Sequence, residues 1–167
     1  MSANWDSMSC YGQPAGEYHT QGLRQASDGI PAWLPGSVFM EWNHTLLFQN
    51  GWKIHVSVDA ADAERLAHLA LPTLRMMQSH HKVIGPWVDY ERFNRESRQR
   101  GKFITVYPGP SVDAAQRVLD VLDTACRRHG FTPGPLPSVR KTNHSTYEIP
   151  IGVSGMFSCL WSDDYRS

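Results

Sequence analysis

Seven consecutive residues, Trp52-Lys53-Ile54-His55-Val56-Ser57-Val58, alternate between apolar and polar side chains without a break. On an extended backbone successive side chains point to opposite faces. Trp52, Ile54, Val56 and Val58 therefore share one face, and Lys53, His55 and Ser57 the other. The stretch before this strand, from Ser37 to Phe48, is rich in β-branched and aromatic residues, and Asn50-Gly51 reads as a turn between strands. Asp59 is placed to cap a helix directly after the strand. That helix, AADAERLAHLALPTLRMMQ, sets Ala63, Leu66, Leu69 and Ala70 on one face, and Pro72 is positioned to kink or divide it.

The rest of the chain continues this alternation. HHKVIG reads as a short strand, Pro86 to Phe93 begin a second, shorter helix, and Gly101 ends that segment ahead of the strand Lys102 to Tyr107. Ser111 starts a third helix that turns Val118, Leu119, Leu122 and Ala125 inward and stops at Gly130. Beyond Pro133, VRKTN, STYEIPIGV and GMFSCLW read as short strands. Residues 1–36 are punctuated by Gly and Pro too often for a regular element and read as an irregular N-terminal arm. The expected fold is a single α+β domain over residues 37–167, a curved mixed β-sheet flanked by helices near 59–78, 87–97 and 112–129.

Composition narrows the function. The chain has 167 residues, room for one domain, and is 41% hydrophobic and only 19% charged, which argues against a largely disordered protein. Sixteen Lys+Arg balance sixteen Asp+Glu, so the global basic footprint of a general nucleic-acid binder is missing. No apolar run approaches the ~20 residues that span a bilayer, and the N-terminus has neither the charged nor the apolar region of a secretory signal. Cys10, Cys126 and Cys159 are odd in number and far apart, which suggests neither a disulfide framework nor a zinc knuckle. A cytoplasmic location is expected, with no nucleic acid and no membrane among its partners.

Several residues are equipped for chemistry. Lys53 and His55 share one strand face, which either meets bulk solvent or lines a cleft, where it offers a cation next to a group that exchanges protons near neutrality. An ammonium repels metal ions, so this pair suits a phosphate dianion better. Lys82 sits inside a mostly apolar strand. Such a lysine either snorkels at a sheet edge or is held in a cleft, where burial and neighbouring cations let it shed its proton and act as a neutral base. Arg92, Arg95, Arg98, Arg100 and Lys102 form a basic run that also reads as a solvated helix face. Tyr107 ends an apolar strand just before Pro108-Gly109, either packed or with its hydroxyl in a site.

These residues carry a resemblance. WKIHVS at 52–57, followed by GKFITVYP at 101–108, resembles the N-terminal lyase domain of class III and class IV lanthipeptide synthetases. That domain is similar in turn to the phosphothreonine lyases secreted as effectors by bacterial pathogens. The similarity runs over about Asn50 to Arg140, and a free-standing lyase without the kinase and cyclase domains of the fused synthetases is expected. It implies elimination of phosphate from phosphoserine or phosphothreonine to give dehydroalanine or dehydrobutyrine, without metal or organic cofactor. By this resemblance Lys82 is the base that removes the α-proton, His55 the acid that protonates the departing phosphate, and Lys53 a phosphate contact. Tyr107 matches the family's strand-end tyrosine, and either Arg95 or Arg98 matches a phosphate-binding arginine. Arg140 matches the first of two further arginines. The second would fall near Ser145-Thr146-Tyr147-Glu148, where this chain has a carboxylate instead.

The implied substrate is a phosphorylated ribosomal precursor peptide, and the implied partners are a separate Ser/Thr kinase and a cyclase, because the chain has no phosphate-loop or kinase signature. Two other classes fit some of the residues. A two-histidine phosphoesterase would use His55 and His144, each within an H-x-[ST]-x-like string. A catalytically silent module would only hold a phosphopeptide for a kinase or cyclase.

Overall fold

In the computed structural model of the chain, the described residues are 32–33, 39–42, 48–84, 87–96, 98–138 and 148–165. Within these residues seven strands form one sheet: β1 (Ala32–Trp33), β2 (Phe39–Trp42), β3 (Gly51–Val56), β4 (His81–Ile84), β5 (Ile104–Gly109), β6 (Ile149–Ile151) and β7 (Phe157–Ser162), in the spatial order β1-β2-β4-β5-β3-β7-β6. Among the described residues three helices accompany them: α1 (Ala63–Met76), α2 (Trp87–Glu96) and α3 (Val112–His129). The α+β class and the three helices agree with expectation. The mixed sheet does not: all six strand pairings are antiparallel. Helical crossovers carry the chain over the sheet, yet each returning strand enters beside a neighbour of opposite direction. The sheet also begins at Ala32, inside the stretch read as an arm. The VRKTN segment lies outside the described residues except for its neighbour Ser138.

The turn read at Asn50-Gly51 needs correction. The strands on either side of it are not neighbours, for β2 pairs with β4, whereas β3 pairs with β5 and β7. Gly51 is instead the first residue of β3.

The apolar alternation of β3 builds the core. Ile54 and Val56, with Val58 just beyond the strand, are buried together with Val83, Ile104 and Val106 of β4 and β5. Against them pack Leu66, Ala67, Ala70, Leu71 and Leu74 of α1, and Val118, Leu119, Leu122 and Cys126 of α3. Leu69 and Ala125 take partly buried positions, one helical step off the stripe. The helix after β3 opens as a short 3-10 turn, Ala60–Asp62, where the Asp59 carboxylate accepts the Ala61 N–H at 3.3 Å. Pro72 lies within α1 without ending it. Ser111 caps α3 by accepting from Ala114 N–H at 3.1 Å, and Gly130 closes it in the left-handed conformation.

His81 belongs to this apolar side. It is fully buried, stacks on Trp42 at 5.7 Å between ring centroids, and its Nδ1 lies 2.8 Å from the Ser79 carbonyl oxygen. Burial holds its pKa at about 3. Above pH 6.5 the ring is neutral in both folded and unfolded chains. Below it, the unfolded chain takes up a proton that the native state refuses, so stability is lost as pH falls from 6.5 toward 3. The slope is about 1.4 kcal/mol per pH unit, or roughly 2–3 kcal/mol by pH 4.5. In urea unfolding at pH 7 and pH 4.5, His81→Phe should lose less stability on acidification than the wild type by that amount. Equal losses in the two proteins would refute the assignment.

Candidate active site

The other face of the sheet is polar and also covered. Lys82 of β4 pairs with Thr105 of β5, Thr105 pairs with His55 of β3, and His55 pairs with Ser158 of β7. Side chains directly opposite in an antiparallel sheet share a face, so Lys82, Thr105, His55 and Ser158 form one row across four adjacent strands. With neighbouring strands about 4.8 Å apart, the backbones of Lys82 and His55 lie roughly 10 Å from one another, with Thr105 between them.

The next row on that face holds Lys53 and Tyr107. Here the β3–β5 register slips between Trp52 and Ile54, which makes a bulge on β5 at Tyr107-Pro108. Proline has no N–H to give a ladder, and an interior strand tolerates it at such a bulge. The ammonium of Lys53 lies 5.8 Å and that of Lys82 5.9 Å from the Tyr107 ring centroid. Lys82 is also 4.2 Å from the Phe39 ring centroid. Tyr107 is buried, stacked against His80 at 4.6 Å and met edge-on by Tyr165 at 5.0 Å. Tyr165 fixes the bulge from behind: its hydroxyl donates to the Trp52 carbonyl at 2.5 Å and accepts from Gly109 N–H at 3.0 Å. A cleft of about 380 Å³ opens beside Tyr107 and His80, bordered by Phe48, Met77, Pro108 and Arg117.

His55 is 4% exposed, and its Nδ1 is bonded to the Glu148 carboxylate, which also accepts from the Ser158 hydroxyl at 3.1 Å. Burial lowers the proton affinity of the ring. Glu148 opposes that effect, and the charges of Lys102 and Lys53 add to it. Ser57, the next polar residue just beyond β3, has a different task. Its hydroxyl donates to the Pro135 carbonyl at 2.6 Å and pins the loop after α3.

The structure thus assembles Lys53, His55, Lys82 and Tyr107 on one face. It does not bring in the two arginines near α2. Arg95 is exposed and pairs with Glu91 on its own helix at 3.5 Å, and Arg98 is exposed in the turn that follows. Arg140 and His144 lie outside the described residues. Two site residues escaped the sequence reading. Lys102 counted there as one of a basic run, yet it is buried and its charge acts on His55. Strand alternation does not point to it, because the chain bends at Phe103 before β5 begins. Glu148 stood only as the carboxylate where an arginine was due.

A family model described as RamC, N-terminal domain, matches residues 33–139. The chain belongs to that family. No curated protein matches the sequence. Among solved structures, the fold is similar to that of the Chromobacterium violaceum VirA (SpvC) phosphothreonine lyase effector. The two are 18% identical with a TM-score of 0.53, and the match covers 99% of this chain and 75% of that one. The type III effector and phosphothreonine lyase OspF of Shigella flexneri is 16% identical with a TM-score of 0.50, over 87% of this chain and 79% of its own. The Salmonella plasmid virulence C protein gives 16% and 0.50, over 93% and 80%. The likeness to phosphothreonine lyases expected from the two motifs is therefore present in the fold. Among the described residues of this RamC N-terminal domain, no helix is long and apolar enough to cross a membrane.

Proposed function

We propose that the chain is a phosphoserine/phosphothreonine lyase. The observation that carries this reading is the row Lys82–Thr105–His55, with Lys53 and Tyr107 beside it on the same face. Lys82 as a neutral amine takes the α-proton. The electron pair of the broken Cα–H bond becomes the Cα=Cβ double bond, the Cβ–O bond breaks, and the departing phosphate receives a proton from His55. Lys82 ends as an ammonium and His55 as a neutral ring, and exchange with water restores both. Because a peptide α-proton is a very weak acid, the enolate-like charge that develops needs fixed positive charge nearby, as does the phosphate dianion. Lys53 and Lys102 supply it, with Arg140 as a further phosphate contact by the family resemblance. No metal or organic cofactor takes part.

The lyase-like domain comprises residues 37–167, joined at the sheet edge by the end of the 1–36 arm. Its substrate is a phosphorylated ribosomal precursor peptide in the cytoplasm, modified first by a separate kinase and afterwards by a cyclase, as in lanthipeptide formation. The motifs WKIHVS and GKFITVYP and the family match support this setting.

Mass spectrometry of a synthetic phosphothreonine peptide incubated with the purified chain is the test. Elimination yields a product lighter by one phosphoric acid, and its double bond adds a thiol. A product one water heavier than that is the hydrolysis product and would replace this reading with the phosphoesterase. Binding without any mass change would replace it with the silent phosphopeptide module.

A further inference from the structure

Glu148 is where the family resemblance led one to expect an arginine, and the structure gives the carboxylate a task. Its side chain is buried, and one carboxylate oxygen faces both His55 Nδ1 and the Ser158 hydroxyl. The other oxygen, also buried, has no hydrogen-bond partner among the described residues. A buried carboxylate with an unmatched oxygen costs stability, and a fold that keeps one usually uses it. A carboxylate only accepts hydrogen bonds, so the ring nitrogen facing it carries the proton. Engaging Nδ1 leaves Nε2 as the nitrogen available to a substrate.

We propose that Glu148 is the positioning residue of this site, holding His55 with its proton on Nδ1 and its Nε2 turned to the departing phosphate. This rests on the lyase reading above. The groups acting on the ring divide by sign. Glu148, from the segment ahead of β6, favours the imidazolium, while Lys53 on β3 and Lys102 ahead of β5 oppose it. Thr105 on β5 and Ser158 on β7 flank His55 in its row with neutral hydroxyls, and Lys82 on β4 lies one strand further on. Surrounded by cations and removed from water, the ring would stay neutral and be useless as an acid. The fixed negative charge behind it counters that, and the phosphate dianion of the substrate completes the balance. An arginine at the same position would reverse the sign.

The test combines nitrogen-resolved NMR of the His55 ring with turnover of a phosphothreonine peptide. In the wild type the neutral ring should carry its proton on Nδ1, and a ring protonated on Nε2 instead would overturn the proposal without any variant being made. In Glu148→Gln the His55 pKa should fall by roughly one to three units. The kcat at pH 7.5 should fall by about 10- to 100-fold, within the range for loss of one acid–base group. Peptide affinity should fall far less than kcat, because Glu148 is bonded to the ring and to Ser158 and acts on phosphate only through His55. An unshifted His55 together with unchanged kcat would overturn the role of Glu148 while leaving the lyase intact. A wild type that never eliminates phosphate, with the NMR shift present, would remove the lyase reading and leave the coupling of Glu148 to His55 standing.

Discussion

Lys82→Ala should abolish phosphate elimination, lowering kcat by about 10²–10⁴-fold or more, and yet leave phosphopeptide affinity largely unchanged. The asymmetry follows from charge. A base that works as a neutral amine contributes little to holding a dianion, so its loss is felt in the transition state and hardly in the complex. Lys53→Ala should behave differently, weakening binding and rate together, because a cation on phosphate acts before and during the reaction. His55→Ala should retain binding and lose rate, as Lys82→Ala does, but the pH dependence separates the two. On the proposed mechanism activity requires Lys82 deprotonated and His55 protonated, which makes the profile bell-shaped, and each alanine variant should lose the limb belonging to its own group. Because burial lowers the His55 pKa in the free protein and a bound dianion raises it, the His55 limb should lie at higher pH in kcat than in kcat/KM. Single-turnover rates and peptide Kd across pH would check all three variants. Wild-type turnover by Lys82→Ala would mean that another group removes the α-proton.

How far the sequence revealed this site depends on whether local periodicity held. Lys53, His55 and Lys82 were legible because strict alternation in β3, and the interruption of an apolar β4 by a lysine, put them on a face that the core leaves free. Helix ends were legible for a similarly local reason: Ser111 and Gly130 each satisfy backbone groups within a few residues of themselves. Pairing was not local. The Asn50-Gly51 signal reports a backbone able to bend, and says nothing of which strand lies alongside, so the neighbours of β3 turned out to be β5 and β7. Glu148 shows the same limit in the site itself. It reaches His55 across 93 positions of sequence, through the pairing of β6 with β7 and of β7 with β3. Lys102 was hidden by the bend at Phe103, which disconnects it from the alternation of β5. Arg95 and Arg98 mark the reverse error, in which closeness along the chain to GKFITVYP stood in for closeness in space.

Gly51→Ala should be among the most destabilising single substitutions in this chain, and it should damage the site as it does so. A Cβ at Gly51 would lie 2.2 Å from the carbonyl carbon of Gly109, 2.4 Å from its oxygen and 2.6 Å from the Pro110 nitrogen. All three are backbone atoms, so no side chain can rotate away. Nor can β5 retreat, since Gly109 is bonded to the Tyr165 hydroxyl on one side and closed in by the Phe48 ring on another. The φ of +142° at Gly51 adds a conformation that alanine rarely adopts. Together these should cost about 3–5 kcal/mol, enough to lower Tm by roughly 10 °C in a domain of this size. Gly130→Ala is the matched control. It too has a left-handed φ, +64°, but an added Cβ there meets nothing within 4 Å, so the expected loss is only about 1 kcal/mol. The site consequence follows from the register. Lys53 and Tyr107 each stand two residues from this glycine pair, on either side of the bulge, so forcing the strands apart moves the cation away from the ring it faces. Folded Gly51→Ala should therefore bind phosphopeptide more weakly at a temperature where it remains native, whereas Gly130→Ala binds as the wild type does. Thermal unfolding and peptide titration of the two variants side by side would check this, and equal Tm losses would show that backbone conformation alone, without the close approach of β3 to β5, explains the glycine.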